Sequence, residues 1–177
     1  MPIPKIKKVP GGTYFLTCST IGRIDIFTYQ EFFQIIIDSL RFCQKEKELK
    51  LYGYVIMPNH LHLIGSHQSD LSAIIRDFKH FTANQIIKKL IEFKKSHTLN
   101  LLKFVGERKS RQKYQVWQHK NYPEWIETEA FFLEKLNYIH NNPVSRGFVE
   151  LPEHWVYSSA RNYILGDSSI LRLEPLE

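Results

Sequence analysis

Cysteine is scarce in this sequence, and long hydrophobic runs are missing from it. The two cysteines, Cys18 and Cys43, lie too far apart for a short metal-binding motif, and two thiols in an intracellular chain need no disulfide. No apolar run approaches the roughly 18 residues that a membrane span requires, and residues 7–12 are too polar for the centre of a secretory signal. We therefore expect one soluble cytoplasmic domain, residues 1–177, with no membrane partner.

Positive charge, by contrast, is concentrated in one stretch. The chain carries a net charge of +6, whereas residues 76–120 alone carry twelve Lys and Arg against three acidic residues. Aromatic residues are interleaved with these cations, a composition that suits a nucleic-acid backbone and stacked bases, although a solvated basic surface is an open alternative. The candidate DNA-binding residues are Arg76, Lys79, Lys88, Arg108, Lys109, Arg111, Lys113 and Lys120.

The hydrophobic pattern predicts a succession of strands and helices. A strand is expected over 13–20, a helix after a capping box at 28–31, a hairpin of 51–57 and 62–66, and a second helix from Asp70 to about Phe93. We expect an irregular, mobile connection over 96–113 and a fourth strand over 114–117. A third helix begins after Thr128 and is stopped by Pro143, and an irregular tail starts at about residue 147.

The first six elements follow the order strand, helix, strand, strand, helix, strand. This is the split βαβ arrangement of ferredoxin-like α+β folds, with an antiparallel sheet, to which the chain adds a C-terminal helix. The fold hosts binding proteins and enzymes alike, so function has to be sought in particular side chains.

His60 and His62 lie two residues apart on a predicted strand, where side chains alternate between faces. Both imidazoles therefore point to one face, and Leu61 and Leu63 point to the core on the other. Two neutral imidazoles on one face can share a metal ion, but a purely structural role for such a pair is equally compatible with the spacing.

Tyr138 and Asn142 lie one turn apart on the third helix and share a face while that helix persists. The helical angle places Tyr138 away from the stripe formed by Phe132, Leu133, Leu136 and Ile139. Tyr138 is therefore not a core residue, and either an ordinary surface position or a role at a site would explain it.

Several separated stretches resemble the HUH-superfamily single-tyrosine transposases, and within them the REP-associated tyrosine transposases. The stretches are GGTYFLT at 11–17, YVIMPNHLHLI at 54–64, WQ at 117–118, YIHNNPV at 138–144, GFV at 147–149, Trp155 and the serines at 158–159. Their order and spacing agree over about residues 11–162.

The resemblance implies a role for each matching residue. His60 and His62 correspond to the metal-binding pair, Asn142 to a third, amide ligand, and Tyr138 to the nucleophile. It further implies Mg²⁺ or Mn²⁺, a 5′-phosphotyrosine intermediate, single-stranded DNA with a hairpin as substrate, no small-molecule substrate, a bacterial, nucleoid-associated location, and a homodimer as one assembly.

Three other interpretations compete with this one. A rolling-circle initiator or relaxase would share the metal and the tyrosine. A noncatalytic nucleic-acid-binding protein of ferredoxin-like fold would use the histidines as core and Tyr138 as surface. A structural zinc site would join the two histidines to a cysteine, although neither cysteine has the usual spacing.

Overall fold

Four strands form one antiparallel sheet in the computed structural model of the chain, which describes residues 9–109, 113–121 and 123–175. The strands are β1 (Thr13–Ser19), β2 (Lys50–Met57), β3 (His60–Ser66) and β4 (Glu124–Trp125). The helices are α1 (Gln30–Glu46), α2 (Leu71–Glu92), α3 (Ser96–Lys109), α4 (Glu129–Ser145) and α5 (Ala160–Leu165). The strand order β2, β3, β1, β4 is that of a ferredoxin-like sheet, which confirms the predicted fold class.

The two faces of the sheet have different helical partners. Because side chains alternate along a strand, Leu61 and Leu63 of β3 face the core beneath α1 and α2. Ile64 and the β1 residue Phe15 belong to a second, smaller core, which α4 covers. The residues that α4 contributes to it are Phe132, Leu136 and Ile139. Leu133, which the sequence assigned to the same stripe, is instead exposed.

The basic stretch after α2 is largely helical, so the prediction of an irregular connection over 96–113 was wrong for its first fourteen residues. Leu99 and Leu102 face the core beside α2, and Val105 continues that side of α3. These three apolar residues make only a weak helical period within a strongly basic segment, so the sequence pattern did not predict the helix. Residues 110–112 lie outside the described part of the chain.

The predicted strand over 114–117 is reduced to a single bridge, in which Trp117 pairs with Thr20. Gln118 continues along the same edge, donating its backbone N–H to Ser19 O at 2.9 Å. The strand that completes the sheet is β4, only two residues long, which pairs with Tyr14 and Phe15. A two-residue strand carries no alternation, which is why the sequence pattern did not reveal it.

Helix α4 continues through Pro143, contrary to the prediction that this proline ends it. The helix stops instead in a Schellman motif, in which Phe148 N–H donates to Pro143 O and Gly147 N–H donates to Val144 O. Gly147 has the positive φ of 71° that this motif requires. Asn142 is therefore in a regular helix, one turn after Tyr138.

The start of α1 also differs from the prediction. Tyr29, not Thr28, is the N-cap, and its side chain makes no capping hydrogen bond. The expected capping box of Thr28 and Glu31 is therefore absent. Predicted caps at Asp70 and Thr128 are confirmed, since each side chain accepts a backbone N–H three residues later.

The segment that follows α4 is not merely irregular, as predicted, but forms a short 3₁₀ helix (Pro152–His154) and α5. It runs along the outer edge of β2. Ile56 N–H donates to Tyr157 O, and Ser159 N–H donates to Tyr54 O, both at 2.9 Å. The tail thus extends the sheet beyond β2.

Candidate functional site

His60 and His62 point to the same face of the sheet, as the sequence predicted. They are 1% and 5% exposed, and their ring centroids are 4.7 Å apart. In the sheet register His60 pairs with Ser19 and His62 with Thr17. The histidines lie on the face that α4 covers.

The Nδ1 atom of each imidazole has a polar neighbour. His62 Nδ1 lies 2.8 Å from Thr17 Oγ1, and His60 Nδ1 lies 2.7 Å from Asn59 Oδ1. Because both Nδ1 atoms are engaged, Nε2 is the nitrogen that each ring has for a metal ion.

Burial keeps both imidazoles neutral. Desolvation, followed by the charges of Arg23 and Arg146, lowers the pKa of His60 to about 4, although the Asn142 amide acts in the opposite direction. Desolvation, followed by the charge of His60 and then those of the nearby cations, lowers the pKa of His62 to about 3. Neutral imidazole is the form that binds a metal ion.

Tyr138 approaches this pair from α4. Its ring centroid lies 5.3 Å from that of His62, in an edge-on arrangement, yet the residue is 51% exposed. Phe15 stacks on His62, at 5.3 Å, and also meets the Tyr138 ring edge at 6.0 Å, so the three rings pack against one another. The prediction that Tyr138 lies off the core stripe of its helix is confirmed.

Asn142 brings an oxygen to the same place. The residue is 6% exposed, and within the described residues its Oδ1 accepts no hydrogen bond of acceptable geometry, although it is near enough to influence His60. A buried acceptor without a partner is costly, and such atoms usually have a ligand or water to bind. Two neutral imidazoles and one amide oxygen fit a divalent cation that keeps open positions.

The structural zinc alternative does not fit this arrangement. Cys18 pairs with Leu61 in the sheet and faces the opposite core, and Cys43 lies on α1 in that same core. Burial raises the pKa of each thiol to about 11. Over the described ranges, no three His, Cys, Asp or Glu side chains are grouped to hold a metal.

Three cations that the sequence pattern did not predict lie near the site. Arg23, Lys135 and Arg146 all act on His62, and Arg146 also lines an open groove of about 620 Å³ beside Tyr138 and Asn142. Lys135 is held by Glu124, with 2.7 Å between Nζ and Oε2, and lies over the Phe15 ring. These three residues are scattered along the chain, so no local charge run could have revealed them.

The DNA-binding residues predicted on α2 and α3 lie away from the histidines. Both helices pack on the opposite face of the sheet. Arg76 and Lys88 are exposed on α2, Arg108 lies over the Phe104 ring on α3, Lys113 lies over the Tyr114 ring, and Lys120 is exposed. Arg111 and the side chain of Lys109 fall outside the described residues.

Lys79 is the exception among these residues, because its ammonium group is used within the protein. It donates to Gln118 O and, at 3.0 Å, to Asn121 Oδ1. Burial lowers the pKa of Lys79. This lysine therefore ties α2 to the segment beside β1, and its charge is not presented on an open surface.

Comparison with known proteins agrees with the family predicted from the sequence. A Haemophilus influenzae protein named as a REP-associated tyrosine transposase is 25% identical over 159 residues, which cover 84% of this chain and 80% of the relative. A solved structure of a REP-associated tyrosine transposase bound to a REP hairpin shares the fold, with a TM-score of 0.67 and 20% identity, covering 100% of this chain and 94% of that one.

The described residues include no helix with the length and hydrophobicity that a membrane crossing requires.

The model of the family described as IS200-like transposases matches residues 8–104, which is more than half of the chain. The chain therefore belongs to the IS200-like transposase family, and its role is that of a transposase.

Proposed function

We propose that this transposase cuts and rejoins single-stranded DNA through a covalent bond to Tyr138. The observation that carries the proposal is the position of this tyrosine. Its ring is half exposed and lies 5.3 Å from the ring of His62, one turn before the Asn142 oxygen, which has no hydrogen-bond partner among the residues that the structure describes.

His60, His62 and Asn142 would hold a divalent ion, Mg²⁺ or Mn²⁺. Once bound, the ion would polarise the scissile phosphate and stabilise the charge that develops on its oxygens. The donor set supports this choice, because neutral nitrogen and amide oxygen ligands leave the charge of the ion undiminished. A thiolate-rich set would instead favour a closed zinc site.

Tyr138 supplies the nucleophilic oxygen. Its Oη forms a bond to phosphorus while the bond from phosphorus to the 3′ oxygen breaks, giving a 5′-phosphotyrosine and a 3′-hydroxyl. The phenolic proton passes to solvent at the exposed side of the ring, and the leaving oxygen takes a proton from water. Because the phosphodiester is conserved, attack by another 3′-hydroxyl on the phosphotyrosine rejoins DNA without an external energy source.

The substrate we infer is single-stranded DNA that contains a hairpin. The similar structure was solved with a REP hairpin bound, and its fold matches over all of this chain and 94% of the other. In this chain Arg23, Lys135 and Arg146 supply positive charge around the histidines, where a phosphate backbone would pass. The exposed cations of α2 and α3 offer a second contact surface.

A covalent adduct is the decisive measurement. Single-stranded hairpin DNA incubated with the protein and Mn²⁺ should give a protein–DNA adduct that resists denaturation, and Tyr138→Phe should abolish it. Tyr29→Phe is the matched control, since Tyr29 is also half exposed but lies at the start of α1. His60→Ala should abolish cleavage and retain most binding, because backbone contacts by other cations are separate from the metal.

Two outcomes would contradict the proposal. An adduct that persists in Tyr138→Phe would assign the nucleophile to another residue. Hairpin binding by the wild-type protein without any adduct would favour a noncatalytic role.

A further inference from the structure

The side chain of Asn59 joins His60 to an acidic residue in the loop after β1. Asn59 Oδ1 lies 2.7 Å from His60 Nδ1, and Asn59 Nδ2 donates to Asp25 Oδ1 at 2.7 Å and to Arg23 O at 3.3 Å. Three side chains thus form a chain of hydrogen bonds that ends on a candidate metal ligand.

The chemistry of these partners fixes the orientation of the Asn59 amide. A carboxylate oxygen and a backbone carbonyl oxygen can only accept, so the amide group facing Asp25 and Arg23 must be the NH₂. The opposite orientation would place two acceptor oxygens 2.7 Å apart. Oδ1 therefore faces His60, and since Oδ1 can only accept, His60 Nδ1 must carry the hydrogen.

A neutral imidazole carries one hydrogen, so the lone pair of His60 is on Nε2. A free histidine side chain prefers the opposite tautomer, with the hydrogen on Nε2, which could not bind a metal through that nitrogen. His62 is not fixed in this way, because its partner is the Thr17 hydroxyl, which both donates and accepts.

The backbone around Asn59 holds this arrangement in place. Thr20 donates its N–H to Asn59 O at 2.9 Å, and its single hydroxyl hydrogen lies between Ile24 O, at 2.8 Å from Oγ1, and Asn59 O, at 3.0 Å. Ile26 and Phe27 donate their N–H groups to Pro58 O, just after the exposed Asp25. The hairpin turn and the loop that carries Asp25 are therefore one connected unit.

We propose that Asn59, oriented by Asp25, is a positioning residue that holds His60 in the Nδ1–H tautomer and so presents its Nε2 lone pair to the metal. The importance of this tautomer for catalysis rests on the proposed function. The tautomer itself does not, because it is a property of the metal-free protein.

Nitrogen NMR of the histidine rings in the metal-free protein at neutral pH reads the tautomer directly. We expect His60 to carry its proton on Nδ1 in the wild type and to shift toward the Nε2–H form in Asn59→Leu. Manganese titration should then show that Asn59→Leu weakens Mn²⁺ binding by roughly 10- to 100-fold, the usual cost of losing such a partner. Asn84→Leu, an exposed asparagine near His80 on α2, should change neither measurement.

The double variant Asn59→Asp/Asp25→Asn keeps an acceptor oxygen beside His60 Nδ1 and reverses the direction of the hydrogen bond between residues 59 and 25, although it loses the longer bond to Arg23 O. It should restore the Nδ1–H tautomer and bring Mn²⁺ affinity back to within a few fold of the wild type. It also serves as the folded test variant if Asn59→Leu does not fold. Asn59→Asp alone should bind Mn²⁺ more weakly than the double variant, because two carboxylates then face each other.

An Nε2–H tautomer in the wild type would overturn the proposal, as would an Asn59→Leu variant with an unchanged tautomer or unchanged Mn²⁺ affinity. Failure of the wild-type protein to bind Mn²⁺ would instead count against the proposed metal-dependent function, and the tautomers would still decide the role of Asn59.

Discussion

At the scale of single residues, the buried Asn142 Oδ1 accepts no hydrogen bond from the described part of the chain. A buried acceptor left without a hydrogen bond costs about 1–3 kcal/mol relative to one that is paired or solvated. Such a cost is understandable where the atom serves a ligand, and it makes the residue a sensitive test of the site.

Asn142→Leu should separate stability from metal binding. Removing the unpaired oxygen should leave the free energy of unfolding of the metal-free protein within about 1 kcal/mol of the wild type, or higher. Added Mn²⁺ should stabilise the variant less than the wild type. A ligand that binds only the folded state stabilises it more when it binds more tightly, and the variant should bind Mn²⁺ more weakly. Chemical denaturation with and without Mn²⁺ measures both quantities. Unchanged Mn²⁺ stabilisation in the variant would exclude Asn142 as a ligand.

The sequence indicated some of these residues and not others. The alternation of a strand placed His60 and His62 on one face, and the helical period placed Tyr138 off the core stripe. Arg23 and Arg146 could not be predicted in this way, because they reach the site only through the folded positions of a loop and of the end of α4. The orientation of Asn59 depends on Asp25, which is 34 residues away in the sequence.

At the scale of elements, α4 connects the candidate site to the C-terminal tail. Its face beside the histidines carries Tyr138 and Asn142, whereas buried His140 points to the tail, with Nε2 2.8 Å from Ser159 Oγ. The same hydroxyl bonds to the backbone of Tyr54 on β2. Burial lowers the pKa of His140 to about 4.

His140 should make the stability of the protein depend on pH. Its pKa in the folded state is below the value of about 6.5 expected in the unfolded chain, so the unfolded state takes up a proton first as the pH falls. Its contribution to the free energy of unfolding is complete above pH 6.5 and is lost between pH 6.5 and 4, and the loss at pH 4.5 is about 2–3 kcal/mol. His60 and His62 act in the same direction.

Urea unfolding of the metal-free protein between pH 7 and 4.5 measures this effect. His140→Gln should lose less stability over that range than the wild type, whereas His97→Gln, at an exposed position on α3, should behave as the wild type. An identical pH dependence in His140→Gln and the wild type would contradict the assignment.

The elements themselves were predictable to the extent that they repeat a pattern. The long α2 and the hairpin of β2 and β3 have clear periods and were predicted within a residue or two. Pro143 predicts the end of α4 too early, because the helix ends shortly before Gly147, which has a positive φ, and both Asn142 and Pro143 are buried within its last turn. The strand β4 exists only through its pairing with β1.

At the scale of the whole molecule, the cations of α2 and α3 and the candidate site lie on different sides of the sheet. The basic helices α2 and α3 pack on one face, and the histidines lie on the other. A DNA strand that uses both has to pass around the edge of the sheet. Binding and cleavage should therefore respond to different cations.

The combined change Lys88→Gln/Arg108→Gln should weaken the binding of hairpin DNA and make its affinity less dependent on salt. The slope of log affinity against log salt concentration should fall in magnitude by about 0.7 for each phosphate that is no longer neutralised. The cleavage rate at saturating DNA should stay unchanged. Arg146→Gln should instead lower that rate by about tenfold or more, because Arg146 lines the groove beside Tyr138. If Lys88→Gln/Arg108→Gln cleaved saturating DNA more slowly than the wild type, the cations of α2 and α3 would contribute to cleavage as well as to binding.

The position of Tyr138 also bears on assembly. The tyrosine lies beside the histidines of its own chain, so one chain contains every residue of the proposed site. We expect each subunit to cleave with its own tyrosine, whether or not the protein forms a homodimer.

Mixing Tyr138→Phe with His62→Ala tests this expectation, because neither protein then has a complete site of its own. We expect no covalent adduct from the mixture, as from each variant alone. Adduct formation by the mixture would mean that subunits exchange the tyrosine helix.

The tail along β2 has a consequence for how these molecules behave at high concentration. An open sheet edge invites strands of other molecules and is a common starting point for aggregation. Here the backbone groups of Tyr54 and Ile56 that face outward are already bonded to residues of the tail. The tail contributes nothing to the proposed cleavage chemistry, yet by closing this edge it keeps neighbouring copies from adding strands to the sheet.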